Sequence, residues 1–126
     1  KDFIEKGVPL HSHITTELLN TIFLPFTPLH DGAVIIKGIF IEAASCFLPI
    51  SQNPDLAREV GTRHRAAVGI TEITDCIALI VSEETGTISM ARGGKLVREL
   101  TEEKIREILH QSFKRMSKPR RLLSLR

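Results

Sequence analysis

Apolar residues recur along the chain in two rhythms. Ile14, Leu18, Leu19, Ile22 and Phe23 fall three and four residues apart, the spacing that lines one face of a helix, with Ser12 as its candidate N-cap. A lead-in segment ends at Val8-Pro9, and Pro25 and Pro28 stop the helix, because proline lacks the N–H that a helix interior needs. Two β-rich runs follow at 33–36 and 39–47, with Lys37-Gly38 as the tight turn between them. Asn53-Pro54 supplies an N-cap and a proline at the first helical position, predicting a short helix through 56–60. A further helix is expected from Thr62 to about Thr71, directly after Gly61. Continuous apolar runs at 76–81 and 87–91 read as strands, and Arg92-Gly93-Gly94-Lys95 turns the chain into a short strand at 96–98. Thr101 caps a last helix, with Glu102 and Glu103 where the helix dipole favours acids. Its buried stripe would be Ile105, Ile108, Leu109, Phe113 and Met116. Helices interleaved with strands that are apolar on both faces predict an α/β fold: one domain with a mixed central β-sheet flanked by helices.

Composition narrows the class. At 126 residues the chain is one domain's worth, and 42% hydrophobic with 25% charged residues excludes a disordered polymer. No apolar run approaches the ~18 residues of a membrane-spanning helix. Cys46 and Cys76 both sit in apolar runs, which predicts buried thiols rather than a disulfide or a zinc site. The absence of Trp and Tyr, with only six Phe, argues against a stacking surface for nucleic acid, so no nucleic-acid partner is expected. Of the 17 Lys and Arg, six lie in 114–126 without an acid, so the other 11 face all 15 acids. A solvated terminus is the simpler reading of that tail, and a contact with anionic lipid or an acidic partner the sharper one. Because residue 1 is Lys, the chain is expected to be a piece of a longer protein.

Three clusters hold polar residues that core packing does not demand. His30-Asp31-Gly32-Ala33 lies where a proline-bounded loop meets a strand. Asp-Gly is also an ordinary turn into a strand, and taken alone that reading is favoured. Gly61-Thr62-Arg63-His64-Arg65 joins a glycine, a hydroxyl and cations at one helix start, where backbone N–H groups and the dipole attract phosphate. A solvated surface helix is the alternative. Ser82-Glu83-Glu84-Thr85-Gly86 follows a strand, and its carboxylates suit a hard divalent cation, although the same residues make a plain hairpin turn. Together the clusters point to a phosphate-containing ligand with Mg²⁺ or Mn²⁺, and the residues alone do not define the reaction.

In this order and spacing, His30-Asp31-Gly32-Ala33, Gly61-Thr62-Arg63-His64-Arg65-Ala66-Ala67 and Ser82-Glu83-Glu84-Thr85-Gly86 resemble the diadenylate cyclase domain family, over roughly Pro9 to His110. The resemblance implies condensation of two ATP into cyclic di-AMP with release of two pyrophosphates, each ATP attacking the other across a face-to-face homodimer. It implies a catalytic set of Asp31, Gly32 and Arg63, with Asp31 by the ribose 3′-hydroxyl. Phe47 and Leu48 would flank adenine; Thr62, Arg63, His64, Arg65, Ser82 and Glu83 would contact the nucleotide; His30, Asp31 and Glu84 would hold Mn²⁺ or Mg²⁺, with Co²⁺ a further candidate. Phe47 departs from the family, where many relatives carry Tyr. Leu48-Pro49 and 83–86 resemble the membrane-anchored branch. That implies residues 1–8 as the end of a linker from a transmembrane region, 9–115 as the catalytic domain and 116–126 as a basic tail. It also implies a place at the cytoplasmic face of a bacterial membrane, with regulatory protein partners. A silent ATP or cyclic-nucleotide sensor on the same fold is the alternative.

Overall fold

A computed structural model describes residues 6–56, 61–82 and 85–116, side chains excepted at 113, 115 and 116. The elements are β1 (Val8–His13), α1 (Thr16–Ile22), β2 (Ala33–Lys37), β3 (Phe40–Cys46), α2 (Thr62–Ile73), β4 (Ile77–Val81), β5 (Ile88–Arg92), β6 (Lys95–Leu100) and α3 (Glu102–Met116). They fall into two units, one within Lys1–Leu48 and one within Pro49–Leu125.

In the first unit β3 is the central strand, antiparallel to β1 on one side and β2 on the other. Ile22, Ile41 and Ala44 form its buried centre, with Leu18, Leu19, Val34 and Ile36 packed around them. Complete burial of an isoleucine such as Ile22 or Ile41 contributes about 1.5–3 kcal/mol, so the helical stripe and the strand run specify each other. The hairpin turn is Gly38-Ile39, one residue beyond the expected Lys37-Gly38, and Gly38 takes φ +65° there.

In the second unit β5 is central, with β4 and β6 antiparallel on either side. Ala67 and Val68 of α2 pack with Ile80 of β4 and Ala91 of β5. A carbonyl, not a side chain, fills the notch at Gly69, where a Cβ would collide with Pro49 O. Thr101 caps α3 as expected, its hydroxyl accepting from Lys104 N at 3.1 Å.

The α/β class expected from the sequence is borne out, and both cysteines are buried and free. Three finer expectations are corrected. The described strands pair in two three-stranded antiparallel sheets, where one mixed sheet was expected: β2–β3 and β4–β5–β6 join sequence neighbours through short connections, and β1 completes the first sheet by pairing with β3. The chain was expected to pass from the end of the lead-in at Val8-Pro9 to the helix; instead residues 8–13 form a strand pinned to β3 by Val8↔Ala44 and His13↔Phe40. Ser12 therefore lies in β1, and the N-cap of α1 is Thr15, whose hydroxyl accepts from Leu18 N at 3.0 Å. Asn53 does bond as a cap would, its Oδ1 accepting from Asp55 N at 2.9 Å. The chain through 54–56 is a turn, and the rest of the helix expected there lies outside the described residues, as do the side chains of Phe113 and Met116.

Candidate functional site

The first cluster is set by what ends α1. Thr27 donates its hydroxyl to Leu24 O at 2.8 Å and to Ile22 O at 3.3 Å, satisfying carbonyls that the end of a helix leaves open. The carbonyl of the same residue accepts from the His30 backbone N–H at 3.4 Å and from the His30 ring Nδ1 at 2.8 Å. A carbonyl can only accept, so Nδ1 carries the ring proton, and the neutral ring keeps its lone pair on Nε2. That nitrogen lies 3.7 Å from Asp31 Oδ1, and the aspartate side chain is 67% exposed.

Asp31 and Gly32 lead directly into β2, whose first residue pairs with Cys46. The chain on either side of that pair brings His30, Asp31, Gly32, Phe47 and Leu48 to one end of the hairpin. Gly32 sits at φ +82°, and a Cβ there would stand 2.9 Å from Cys46 O. Its glycine is thus required by the hairpin's own backbone. Phe47 is 72% exposed, presenting an aromatic face beside Leu48, which is half-buried.

The second cluster opens α2. Gly61 is the N-cap, with extended φ and ψ and no side chain to bond the first-turn N–H groups. Thr62 and Arg63 are exposed, whereas His64 and Arg65 are half-buried. Burial, and secondarily the charge of Arg98, push the His64 pKa below its ordinary value, favouring the neutral ring. The carbonyl of Arg65 accepts from Ser51 N at 3.0 Å, which ties the incoming chain to the helix.

The third cluster belongs to the same end of the second unit. Only residues 74–76 separate the 12 residues of α2 from the five of β4, and at about 1.5 and 3.3 Å per residue the two elements have similar lengths. The strand therefore returns alongside the helix and delivers Ser82 near the level of Thr62. Ser82 closes the loop on itself: its N–H donates to Thr87 O at 2.9 Å, its carbonyl accepts from Gly86 N at 2.9 Å, and its hydroxyl accepts from Thr85 N at 3.3 Å. Glu83 and Glu84 lie outside the described residues.

For a divalent cation, His30 and Asp31 are a fitting pair. One offers a bare imidazole nitrogen fixed by a carbonyl behind it, the usual support of a metal-binding histidine, and the other an exposed carboxylate. Among the described residues no three His, Cys, Asp or Glu gather as a metal cluster, and Glu84, expected as the third ligand, is not one of those residues. Sequence reasoning missed the positioning work of Thr27 and Ser51 and the proximity of Arg98 to His64. The Thr27-Pro28 pair next to a helix end was a usable signal for the first. Nothing local marked the other two, which act across sequence separations of 14 and 34 residues.

An antiparallel hairpin that presents a histidine–aspartate pair, and a glycine-capped helix flanked by arginines, have the features of a nucleotide-binding domain. The family model described as DisA bacterial checkpoint controller nucleotide-binding, abbreviated DAC, matches residues 1–96. Cyclic di-AMP synthase CdaA of Bacillus subtilis is 57% identical over 114 residues, covering 90% of this chain and 42% of that protein. A diadenylate cyclase of Listeria monocytogenes is 56% identical over 108 residues, covering 86% of this chain and 40% of that protein. The crystal structure of DacA from Staphylococcus aureus, solved as a double mutant, superposes with a TM-score of 0.86 at 49% identity, covering 89% of this chain and 75% of that one. The chain belongs to the DAC family. It spans about two fifths of the length of the curated relatives it matches.

Proposed function

We propose that this chain is the catalytic portion of a diadenylate cyclase, joining two ATP into cyclic di-AMP and releasing two pyrophosphates. The observation that carries the reading is the 56–57% identity to relatives named for that synthesis, over nearly the whole chain. The local geometry supports it. The Asp31 carboxylate sits beside the ribose 3′-hydroxyl and takes its proton as the 3′-oxygen bonds to the α-phosphorus of the second ATP; the bond from that phosphorus to pyrophosphate breaks in line. Thr62, Arg63 and the uncapped N–H groups of α2 hold phosphate oxygens, where the partial positive charge of a helix N-terminus offsets the charge on the departing group. His64 and Arg65 support that end of the helix, and Ser82 and Glu83 flank the nucleotide. Phe47 and Leu48 bracket adenine; loss of the hydroxyl found in relatives with Tyr leaves the aromatic face. His30, Asp31 and Glu84 would hold a divalent ion (Mn²⁺ or Mg²⁺, or Co²⁺), which when bound neutralises phosphate charge.

Each chain supplies one nucleotide, so two chains meet face to face as a homodimer for each product molecule. The longer protein is proposed to sit at the cytoplasmic face of the membrane, with 1–8 as a linker, 9–115 as the catalytic domain, 116–126 as a basic tail and regulatory proteins as partners. A solved relative from Bacillus cereus described as a hypothetical membrane spanning protein is 45% identical, covering 75% of this chain and 47% of that one, with a TM-score of 0.73. Within the described residues no helix is long and apolar enough to cross a membrane.

The test is incubation of the chain with ATP and Mn²⁺, with nucleotides resolved by chromatography and Asp31→Asn run in parallel. Cyclic di-AMP is expected from the unmodified chain only, with the variant still folded and still binding ATP. Equal product from Asp31→Asn would remove that residue from its role. No product at any protein concentration, with ATP bound, would favour a silent sensor.

A further inference from the structure

Beside α2 lies a feature that the cyclase reading does not use. A cleft of about 430 Å³ opens between the turn at 53–56 and strand β6. Both walls are fastened to consecutive residues near the C-terminal end of α2. On one side Gly94 N donates to the buried Thr71 hydroxyl at 3.0 Å. On the other, Ser51 donates its hydroxyl to Glu72 Oε2 at 2.8 Å and accepts from Asn53 N at 3.1 Å. At about 1.5 Å per residue those anchors stand roughly 14 Å along the helix from Thr62. The β5–β6 hairpin likewise lies at the opposite end of its sheet from the Ser82 loop, since β5 pairs with Val81 at one end and turns at Gly93-Gly94 at the other.

The lining is chemically divided. Leu56 and Leu96, both packed against the core of the unit, give an apolar floor. Lys95 and Arg98 contribute two cations from β6, while Asn53 and Asp55 place an amide and a carboxylate on the facing turn. We propose that this cleft binds a small phosphate monoester bearing a flat ring with an amino group, a nucleoside monophosphate in chemical class, at a site whose lining shares no residue with the phosphate-holding start of α2. The phosphate pairs with Lys95 and Arg98, Arg as a fork that two phosphate oxygens can share. The ring lies on the leucines, and its amino group donates to Asp55 or to the Asn53 side chain. The volume falls within the roughly 300–1,000 Å³ of small-molecule sites.

The experiment is a titration of the isotope-labelled chain with AMP up to about 10 mM, followed through backbone amide shifts. Saturable shifts are expected at 53–56 and 94–98. Adenosine, lacking the phosphate, and ribose 5-phosphate, lacking the ring, should each bind at least about fivefold more weakly. The double change Lys95→Ala and Arg98→Ala, both at exposed positions, should weaken AMP by about tenfold with the melting temperature at about pH 7.5, where His64 is neutral in either case, unchanged. Arg63→Ala, which disables the other end of the helix, should leave these shifts intact. Shifts confined to 61–65 and 82, or none at all, would overturn the proposal. So would AMP affinity indifferent to the double change, or ribose 5-phosphate binding as tightly as AMP. No outcome depends on cyclase activity, so the two readings stand or fall apart.

Discussion

His64 is half-buried on α2 with the charge of Arg98 bearing on it, and both effects favour its neutral form. Its pKa in the folded chain lies below the ordinary 6.5, so on acidification the unfolded chain takes the proton first. The stability that the neutral ring contributes is complete above that ordinary value and is lost as pH falls towards the folded one. Arg98→Gln removes the secondary cause and moves the folded pKa back up. Melting temperatures at about pH 7.5 and about pH 5.5 should therefore differ less in the variant than in the unmodified chain. An equal or larger drop would mean that burial alone governs the ring. The same scale explains the Asp31-Gly32 turn. The glycine is needed because a Cβ would press on Cys46 O from a left-handed backbone, whatever the neighbouring aspartate does. His30, by contrast, is held by Thr27 in the tautomer that a ligand role requires.

Among the elements, α2 connects most of what matters in the second unit. Gly69 lies in its interior, where an alanine ordinarily stabilises by about 1 kcal/mol. Here the added Cβ meets the Pro49 carbonyl and stands 3.0 Å from Ser51 N, so the sign reverses. Gly69→Ala should destabilise by about 2 kcal/mol or more, read as a lower midpoint in urea at unchanged slope. A stabilised variant would show that the 49–51 segment can move aside. Elements of this kind were largely legible in the sequence: α2, β4 and β5 follow from apolar runs bounded by Gly61 and Gly86, and α3 from Thr101. β1 was not. Its residues mix Pro9, His11 and His13 with two apolar side chains, and what makes them a strand is pairing with β3, more than 25 residues away in sequence. Ser12 looked like a cap for the same reason, since a hydroxyl before a helical stripe carries no record of a competing strand.

For the molecule as a whole, the three motifs made the family legible because short polar stretches that core packing does not demand stand out against the apolar runs around them. What they could not reveal was the bonding behind them: Thr27 folding back under His30, or Ser51 clasping Glu72. The proposed reaction needs two chains, which gives a prediction at this scale. Over about a hundredfold range of dilute chain concentration, cyclic di-AMP formed per chain should rise with concentration, as a pairwise encounter requires, while ATP binding per chain stays constant. Product per chain that is independent of dilution would mean either a pre-formed tight dimer, visible by sedimentation, or a different reaction geometry.

The proposed reaction brings copies of the chain together, and meeting is also how exposed strands seed fibres. In the first unit's sheet β1 is an outer strand. It carries Pro9, which has no N–H to offer, a register slip between Pro9 and Ser12, and His11 at φ +51° within that slip. A strand arriving from another copy would meet a ladder bent out of line at that slip, which disfavours extending the sheet in register along this side. The irregularity that hid β1 in the sequence thus works against polymerisation through that edge.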